Sequence, residues 1–315
     1  MCGQIPHHSV SLIVGQTLAS GVKFFILDVF AESKLSGNQL AVFLDPGKLS
    51  TQQMQRIAQE MHYSETTFVN SRVEKDRGYN VRIFTPQIEL PFAGHPSLGT
   101  AYIIQSQVIM KPVPEVRLNM KVGQIPVHFT YSGKKPRVLW MRQRPPKFGK
   151  RYRSSQVADF LNLDESDLDT RFPIQDVSTG VPFLIVPLKG LDEIRRAKLD
   201  RDKYLEFAKK TESNIVLVFS PETYRSENDL NVRVLIPDSG MTEDSATGSG
   251  NGCLAAYLVN YKYMHREKID LRVEQGYEMG RKSLLLLRAG PGPSSIEVNV
   301  GGTVQFIAEG EFVRP

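Results

Sequence analysis

The sequence predicts a protein of two similar domains that combine helices with strands, and three observations support this prediction. The first is an internal repeat: Tyr79–Pro86 (YNVRIFTP) reappears 151 positions later as Leu230–Pro237 (LNVRVLIP). The second is that each copy runs into a glycine loop and an apolar stretch, at residues 93–104 and 247–259. The third is the length of 315 residues, which suits two domains of ordinary size and is about twice the repeat offset.

A helix and a strand are also predicted before each copy of the repeat. Met54–Met61 has helical spacing of apolar residues, and Thr66–Val69 reads as a strand. In the second half, Tyr204–Lys210 and Asn214–Phe219 occupy the same places. Each half therefore reads as helix, strand, strand, glycine loop, helix, and this matched order argues against chance similarity.

Composition and cysteine content indicate a soluble protein of the reducing cytoplasm. Hydrophobic residues make up 41% and charged residues 23% of the chain, as in globular proteins. No apolar run approaches the roughly 20 residues of a membrane span, and residues 1–22 lack the basic region of a secretory signal. Cys2 and Cys253 form no motif, so we expect no structural disulfide.

Positive charge is concentrated in residues 133–157, which contain nine basic residues and no acid, although the net charge of the chain is only +5. Trp140, Phe148 and Tyr152 interleave these charges, a pattern that can bind nucleic acid. The segment also contains three prolines and falls at the junction of the repeats. We therefore favour a solvated inter-domain connector, consider nucleic-acid binding unlikely from this pattern, and keep open a rim that attracts an anionic ligand.

The two glycine loops are candidates for binding an anion. Each follows a predicted strand and opens a predicted helix, whose first N–H groups and positive dipole end are free for a ligand. If the halves are related by a pseudo-twofold axis, the two helix N-termini can hold one carboxylate between them. The spacing of Gly248, Gly250 and Gly252 is not the dinucleotide-binding fingerprint.

The ionisable residues near these loops differ between the halves. The first half has His95, and the second has Glu243, Asp244 and Ser249. Glu65 stands between a helix and an apolar strand, where partial burial would raise its pKa toward the range of a general acid or base. Taken singly, such residues are more often helix caps or solvated groups.

Five ordered motifs resemble the PhzF family of phenazine-biosynthesis-like proteins. They span nearly the whole chain from about Lys23 onward. Ser245 and Gly250 depart from the proline and alanine that are usual in the family. The motifs are Gly37–Val42 (GNQLAV), Ser64–Val69 (SETTFV), Arg82–Pro86 (RIFTP), Phe92–Pro96 (FAGHP) and Glu243–Ser249 (EDSATGS).

This resemblance implies an α+β fold like that of diaminopimelate epimerase. Two pseudo-symmetric domains would each wrap a curved mixed sheet around a central helix, with the active site in the cleft between them. We expect an N-terminal extension over residues 1–22, a first domain over 23–131 completed by 302–315, and a second domain over 132–301. Family members are commonly homodimers.

The resemblance also implies a reaction without metal, flavin or nicotinamide, in which a glutamate moves a proton on a small cyclic carboxylate. Glu65 matches that glutamate. His95 and Asp244 match the family's active-site histidine and aspartate and would hold polar groups of the substrate. Gly94, Gly248 and Ser249 would bind the substrate's carboxylate, Ser249 matching the family's serine.

Two other functions remain as alternatives within the fold. A racemase of the diaminopimelate type needs a thiol on each side of the substrate carbon, but the matching positions are Ala93 and Thr247. Cys253 lies about two helical turns further on and has no partner in the first half, so this reaction is disfavoured. The other alternative is a binding or scaffold protein without turnover.

Overall fold

A computed structural model describes residues 21–237 and 242–314. The expected N-terminal extension, including Cys2, lies outside these residues apart from Gly21 and Val22. The helices are α1 (Thr51–Met61), α2 (Gly94–Ile103), α3 (Ser154–Leu161), α4 (Leu191–Arg196), α5 (Arg201–Ala208) and α6 (Gly248–Asn260), with a π-helix at Ile104–Ile109 and a 3₁₀ helix at Glu165–Asp167.

The first nine strands, β1 to β9, lie between Val22 and Tyr152. They are β1 (Val22–Val29), β2 (Asn38–Leu44), β3 (Glu65–Val69), β4 (Tyr79–Phe84), β5 (Glu89–Leu90), β6 (Glu115–Met120), β7 (Gly123–Ser132), β8 (Lys135–Arg142) and β9 (Lys147–Tyr152). The remaining strands are β10 (Ile174–Ser178), β11 (Pro182–Pro187), β12 (Val216–Ser220), β13 (Leu230–Leu235), β14 (Glu243–Asp244), β15 (Ile269–Gln275), β16 (Ser283–Pro291), β17 (Ile296–Gly302) and β18 (Val304–Phe312).

Strand pairing repeats between the halves, which confirms the pseudo-symmetric α+β fold. The first half pairs in the order β18-β1-β2-β3-β4-β6-β7-β8. The second pairs as β9-β10-β11-β12-β13-β15-β16-β17, with parallel pairs at the same two places. Strands β8 and β17 then pair with each other and join the halves. The last strand, β18, therefore returns to the first half.

Each curved sheet packs around one central helix, α2 in the first half and α6 in the second. Nearly every residue of both helices is buried, as expected for a helix without a polar face. Their small residues permit this close packing. A Cβ atom on Gly99 would lie 2.5 Å from the Leu40 side chain, closer than van der Waals contact allows. The glycines predicted as loops thus form the first turns of these helices.

The basic segment is not the solvated connector that the sequence suggested. Its residues form strands β8 and β9, and β8 lies at the centre of the joined sheet between β7 and β17. Leu139, Trp140 and Met141 are buried, while all nine basic residues are exposed. Exposed basic residues beside a short buried apolar run give these strands a composition that resembles a loop.

Candidate functional site

The N-termini of the two central helices meet between the halves. A Cβ atom built on Gly94 would lie 3.5 Å from both the Gly248 Cα and the Ser249 backbone nitrogen. Each helix begins directly after a residue with extended backbone: Ala93 precedes α2, and Thr247 precedes α6. The free N–H groups of both first turns therefore surround one narrow gap, which favours a negatively charged ligand.

Glu65 and His95 face each other beside this gap. Glu65 begins β3 and pairs with Leu40 of β2, while His95 belongs to the first turn of α2. The His95 Nε2 atom lies 3.4 Å from the Glu65 Oε2 atom, and the side chains are 6% and 16% exposed. Neither atom has a hydrogen-bond partner among the described residues. Buried polar atoms without partners are costly, so this pair is suited to a ligand's polar group.

Asp244, at the end of β14, is held by donors from both halves. Asn38 Nδ2 of the first half donates to Oδ1 over 2.7 Å, and Thr247 Oγ1 donates to Oδ2 over 2.5 Å. Gln275 in turn donates to the Asp244 carbonyl oxygen and to Thr247 Oγ1. The carboxylate therefore has a fixed position, and the Asn38 bond ties that position to the first half.

Burial shifts the pKa values of Glu65, Asp244 and His95, so the three groups differ in protonation near pH 7. Burial, and secondly the charge of Asp244, raise the pKa of Glu65 to about 8. Burial raises the pKa of Asp244 to about 6, against the effect of its hydrogen bonds from Thr247 and Asn38. Burial lowers the pKa of His95 to about 3, although its bond to the Gln39 backbone acts in the opposite direction. Near pH 7, therefore, His95 is neutral, Asp244 is ionised and Glu65 is largely protonated.

The neutral state of His95 means that its contact with Glu65 is not an ion pair, although the distance would allow one. The two groups can instead share a hydrogen bond, because Glu65 is largely protonated near pH 7 and the Nε2 atom of His95 is free. A carboxyl group of this kind can act as a general acid in one protonation state and as a general base in the other.

Ser245 and Gly250, the two residues that depart from the family pattern, each affect the local structure. The backbone of Ser245 hydrogen-bonds to the Asp244 carboxylate and lowers its pKa, a bond that proline could not donate. A Cβ atom at Gly250 would lie 3.0 Å from the Phe183 ring, tighter than ordinary contact. Glycine therefore fits the packing of α6 against Phe183 here.

Other candidate residues lie away from the pair of Glu65 and His95. Glu243 forms a bidentate ion pair with Arg233 through bonds of 3.0 and 2.8 Å. Its role is therefore to neutralise a buried arginine inside the second half. Cys253 is buried against Thr179 Oγ1 at 3.6 Å, and burial raises the pKa of its thiol to about 12. It therefore remains protonated and unreactive.

Sequence reasoning missed Asn38, Thr247 and Gln275 as the residues that fix Asp244. Asn38 stood inside a matched motif, but its partner is 206 positions away. Within the described residues, no group of three His, Cys, Asp or Glu side chains could hold a metal ion. No helix in the same ranges has the length and apolar character needed to cross a membrane.

Comparisons with known proteins find similar sequences over nearly the whole chain. A family model described as phenazine biosynthesis-like protein, PhzC-PhzF, matches residues 27–310. A curated relative, trans-2,3-dihydro-3-hydroxyanthranilate isomerase of Pseudomonas aeruginosa, is 32% identical over 289 residues, which cover 91% of this chain and 98% of the relative.

Solved structures show the same fold. The PhzF-family phenazine biosynthesis protein of Bacillus anthracis superposes with a TM-score of 0.85 at 26% identity, covering 93% of this chain and 99% of that one. A probable proline racemase of Agrobacterium radiobacter shares the fold with a TM-score of 0.58 at 11% identity, covering 92% of each chain.

Proposed function

Because this chain belongs to the PhzC-PhzF family of phenazine biosynthesis-like proteins, we propose that it is a cofactor-independent isomerase that moves a proton on a small cyclic carboxylate. The observation that carries the proposal is the pair Glu65 and His95. Their facing atoms, 3.4 Å apart, are buried and have no hydrogen-bond partner within residues 21–237 and 242–314.

In this proposal the carboxylate of Glu65 removes a proton from one ring carbon. The electron pair of the broken C–H bond shifts through the adjacent double bond, and the protonated Glu65 returns the proton to a second carbon. The substrate is isomerised with no net gain or loss of atoms, and Glu65 ends the cycle ionised, as it began. Since the pKa of Glu65 is about 8, both states are accessible near neutral pH.

His95 and Asp244 then hold the ring in position. The neutral imidazole of His95 hydrogen-bonds a polar substituent of the substrate, and the ionised Asp244 attracts a positively charged amine. The substrate's carboxylate lies in the gap between the helix starts at Gly94, Gly248 and Ser249. Fixed orientation of this kind contributes substantially to rate.

A binding or scaffold role is the alternative. Titratable groups with strongly shifted pKa values beside an anion-binding gap favour catalysis, because a scaffold gains nothing from an unpartnered carboxyl and imidazole. A two-thiol racemase is disfavoured, since Ala93 and Thr247, which precede the two central helices, carry no thiol, and the distant Cys253 thiol stays protonated. We also retain the homodimer and the domain limits 23–131 with 302–315, and 132–301, as predictions.

Deuterium transfer from D₂O tests the proposed reaction class. The wild-type protein is incubated with trans-2,3-dihydro-3-hydroxyanthranilate and with a panel of cyclic amino- and hydroxy-carboxylates, followed by mass spectrometry and NMR. We expect enzyme-dependent isomerisation or deuterium incorporation at ring carbon in at least one compound, because Glu65, once it carries the substrate's proton, can exchange that proton with solvent before returning it to the ring. Absence of both across the panel would favour the scaffold alternative.

Gly94→Ala tests the anion gap separately from proton transfer. The new methyl group would lie 3.5 Å from Gly248 Cα and Ser249 N and would fill the gap. Alanine is also the better helix former by roughly 1 kcal/mol, so the melting temperature should be kept or raised. We expect benzoate affinity, measured by calorimetry, to fall about tenfold or more. Unchanged affinity in the folded variant would place the anion elsewhere.

A further inference from the structure

A pocket beside the helix starts is not used by the proton-transfer residues. Its first-half wall is apolar, and its second-half wall is formed by the end of β8 with the link that follows it and by the turn before β11. Ser249 of α6 lines it and connects it to the anion gap. The lining residues are Pro91, Phe92, Val122, Ile125, Arg142, Gln143, Arg144, Thr179, Gly180, Val181 and Ser249.

The polar groups of this pocket are only weakly bonded within the protein. The Arg144 guanidinium makes a long 3.5 Å approach to the Val122 carbonyl, and its stem lies against Gly180. No carboxylate in residues 21–237 or 242–314 forms an ion pair with it. The Gln143 side chain, in a residue 8% exposed, donates only over 3.5 Å to the Met141 carbonyl.

Arg142, which also lines the pocket, differs from Arg144 because it has an acidic partner. Its guanidinium is 2.7 Å from Glu297 Oε1, so its charge is already compensated. Arg144 is therefore the uncompensated cation of the pocket. A guanidinium beside an amide group suits a carboxylate, which can accept two parallel hydrogen bonds.

The apolar surface between the two anion-binding positions sets the shape of the ligand. Phe92 and Ile125 stand on one side, and Val181, which is 38% exposed, on the other. An unsaturated ring would cover these side chains. Its first carboxylate would lie at the helix starts, and its second would reach Arg144.

We propose that this pocket selects a cyclic substrate with two carboxylates, the second bound by Arg144 and Gln143. The inference rests on the proposed isomerase function and narrows its substrate class. It assigns Arg144 a role in specificity, and it predicts weaker binding of a monocarboxylate of the same ring size.

Calorimetric titration of the full chain at low ionic strength tests this with benzoate, benzene-1,3-dicarboxylate and benzene-1,4-dicarboxylate. We expect the wild type to bind at least one dicarboxylate about tenfold or more tightly than benzoate. Arg144→Gln should abolish that preference. Arg137→Gln, which changes an exposed arginine of strand β8 outside the pocket, should retain it, and melting curves confirm that each variant is folded.

No preference in the wild type, no detectable binding of any probe, or a preference retained in Arg144→Gln would each overturn the proposal. The same titration in Glu65→Gln separates it from the isomerase function. A preference for the dicarboxylate there, together with no turnover by the wild type on any candidate, would refute the isomerase and leave the dicarboxylate site standing.

Discussion

Glu65→Gln is expected to reduce turnover by roughly 10²–10⁴-fold while leaving the fold intact. Glutamine keeps the size of the side chain and its hydrogen-bonding capacity but cannot accept and return a proton. The measurement is kcat on the substrate found by deuterium exchange. The matched control is Glu60→Gln, which removes an exposed carboxylate of α1. Full turnover by Glu65→Gln would exclude Glu65 as the acid/base.

The stability of Glu65→Gln supplies an independent control on its folding. The pKa of Glu65 rises from 4.5 to about 8 on folding, so between these pH values the folded protein keeps a proton that the unfolded chain releases. This contribution lowers the stability of the wild type as pH rises through the window, and it is absent from the variant. At pH 8 we expect a free energy of unfolding larger by roughly 2–4 kcal/mol in Glu65→Gln.

Asp244→Asn is expected to change both the rate and its pH dependence. Below pH 8 the wild-type kcat/KM should fall with decreasing pH, since proton removal needs ionised Glu65. The negative charge of Asp244 contributes to that raised pKa, so the acidic limb should move to lower pH in the variant. The loss of a positioned charge should also lower kcat/KM by about 10²-fold at pH 9.

The pH profile of Asp244→Asn is compared with that of Asp202→Asn, an exposed carboxylate of α5 that should leave the profile unchanged. A variant whose rate falls while its acidic limb stays in place would mean that Asp244 orients the substrate without acting on the Glu65 charge.

The two-domain fold could be predicted because the sequence contains an internal repeat. The repeated strand at Tyr79 and Leu230 predicted the two halves, and the strand that begins at Glu65 was placed correctly. The prediction of a connector was wrong because prolines and lysines suggested a loop, whereas Leu139, Trp140 and Met141 are buried in a strand. Charge counts do not show which side of a strand carries the charge.

The hydrogen-bond and ion-pair partners of the charged residues at the site could not be predicted from the sequence. Asn38 and Gln275 bond to Asp244 from 206 and 31 positions away, and hydrogen bonds across such separations leave no local pattern. Thr247 is a local partner, three positions away. Arg144 stood among nine basic residues of equal appearance. Only the packing shows that Arg142 has Glu297 as its partner and that Arg144 faces a pocket.

The most direct test of the account is an infrared titration of carboxyl groups in the wild type and in Glu65→Gln. We expect the wild type to show a protonated carboxyl band at pH 7 that disappears with a midpoint near pH 8 and is absent from the variant. In Asp244→Asn the same band should titrate at lower pH. A Glu65 carboxyl that is already ionised at pH 6, with a midpoint near its ordinary 4.5, would contradict it.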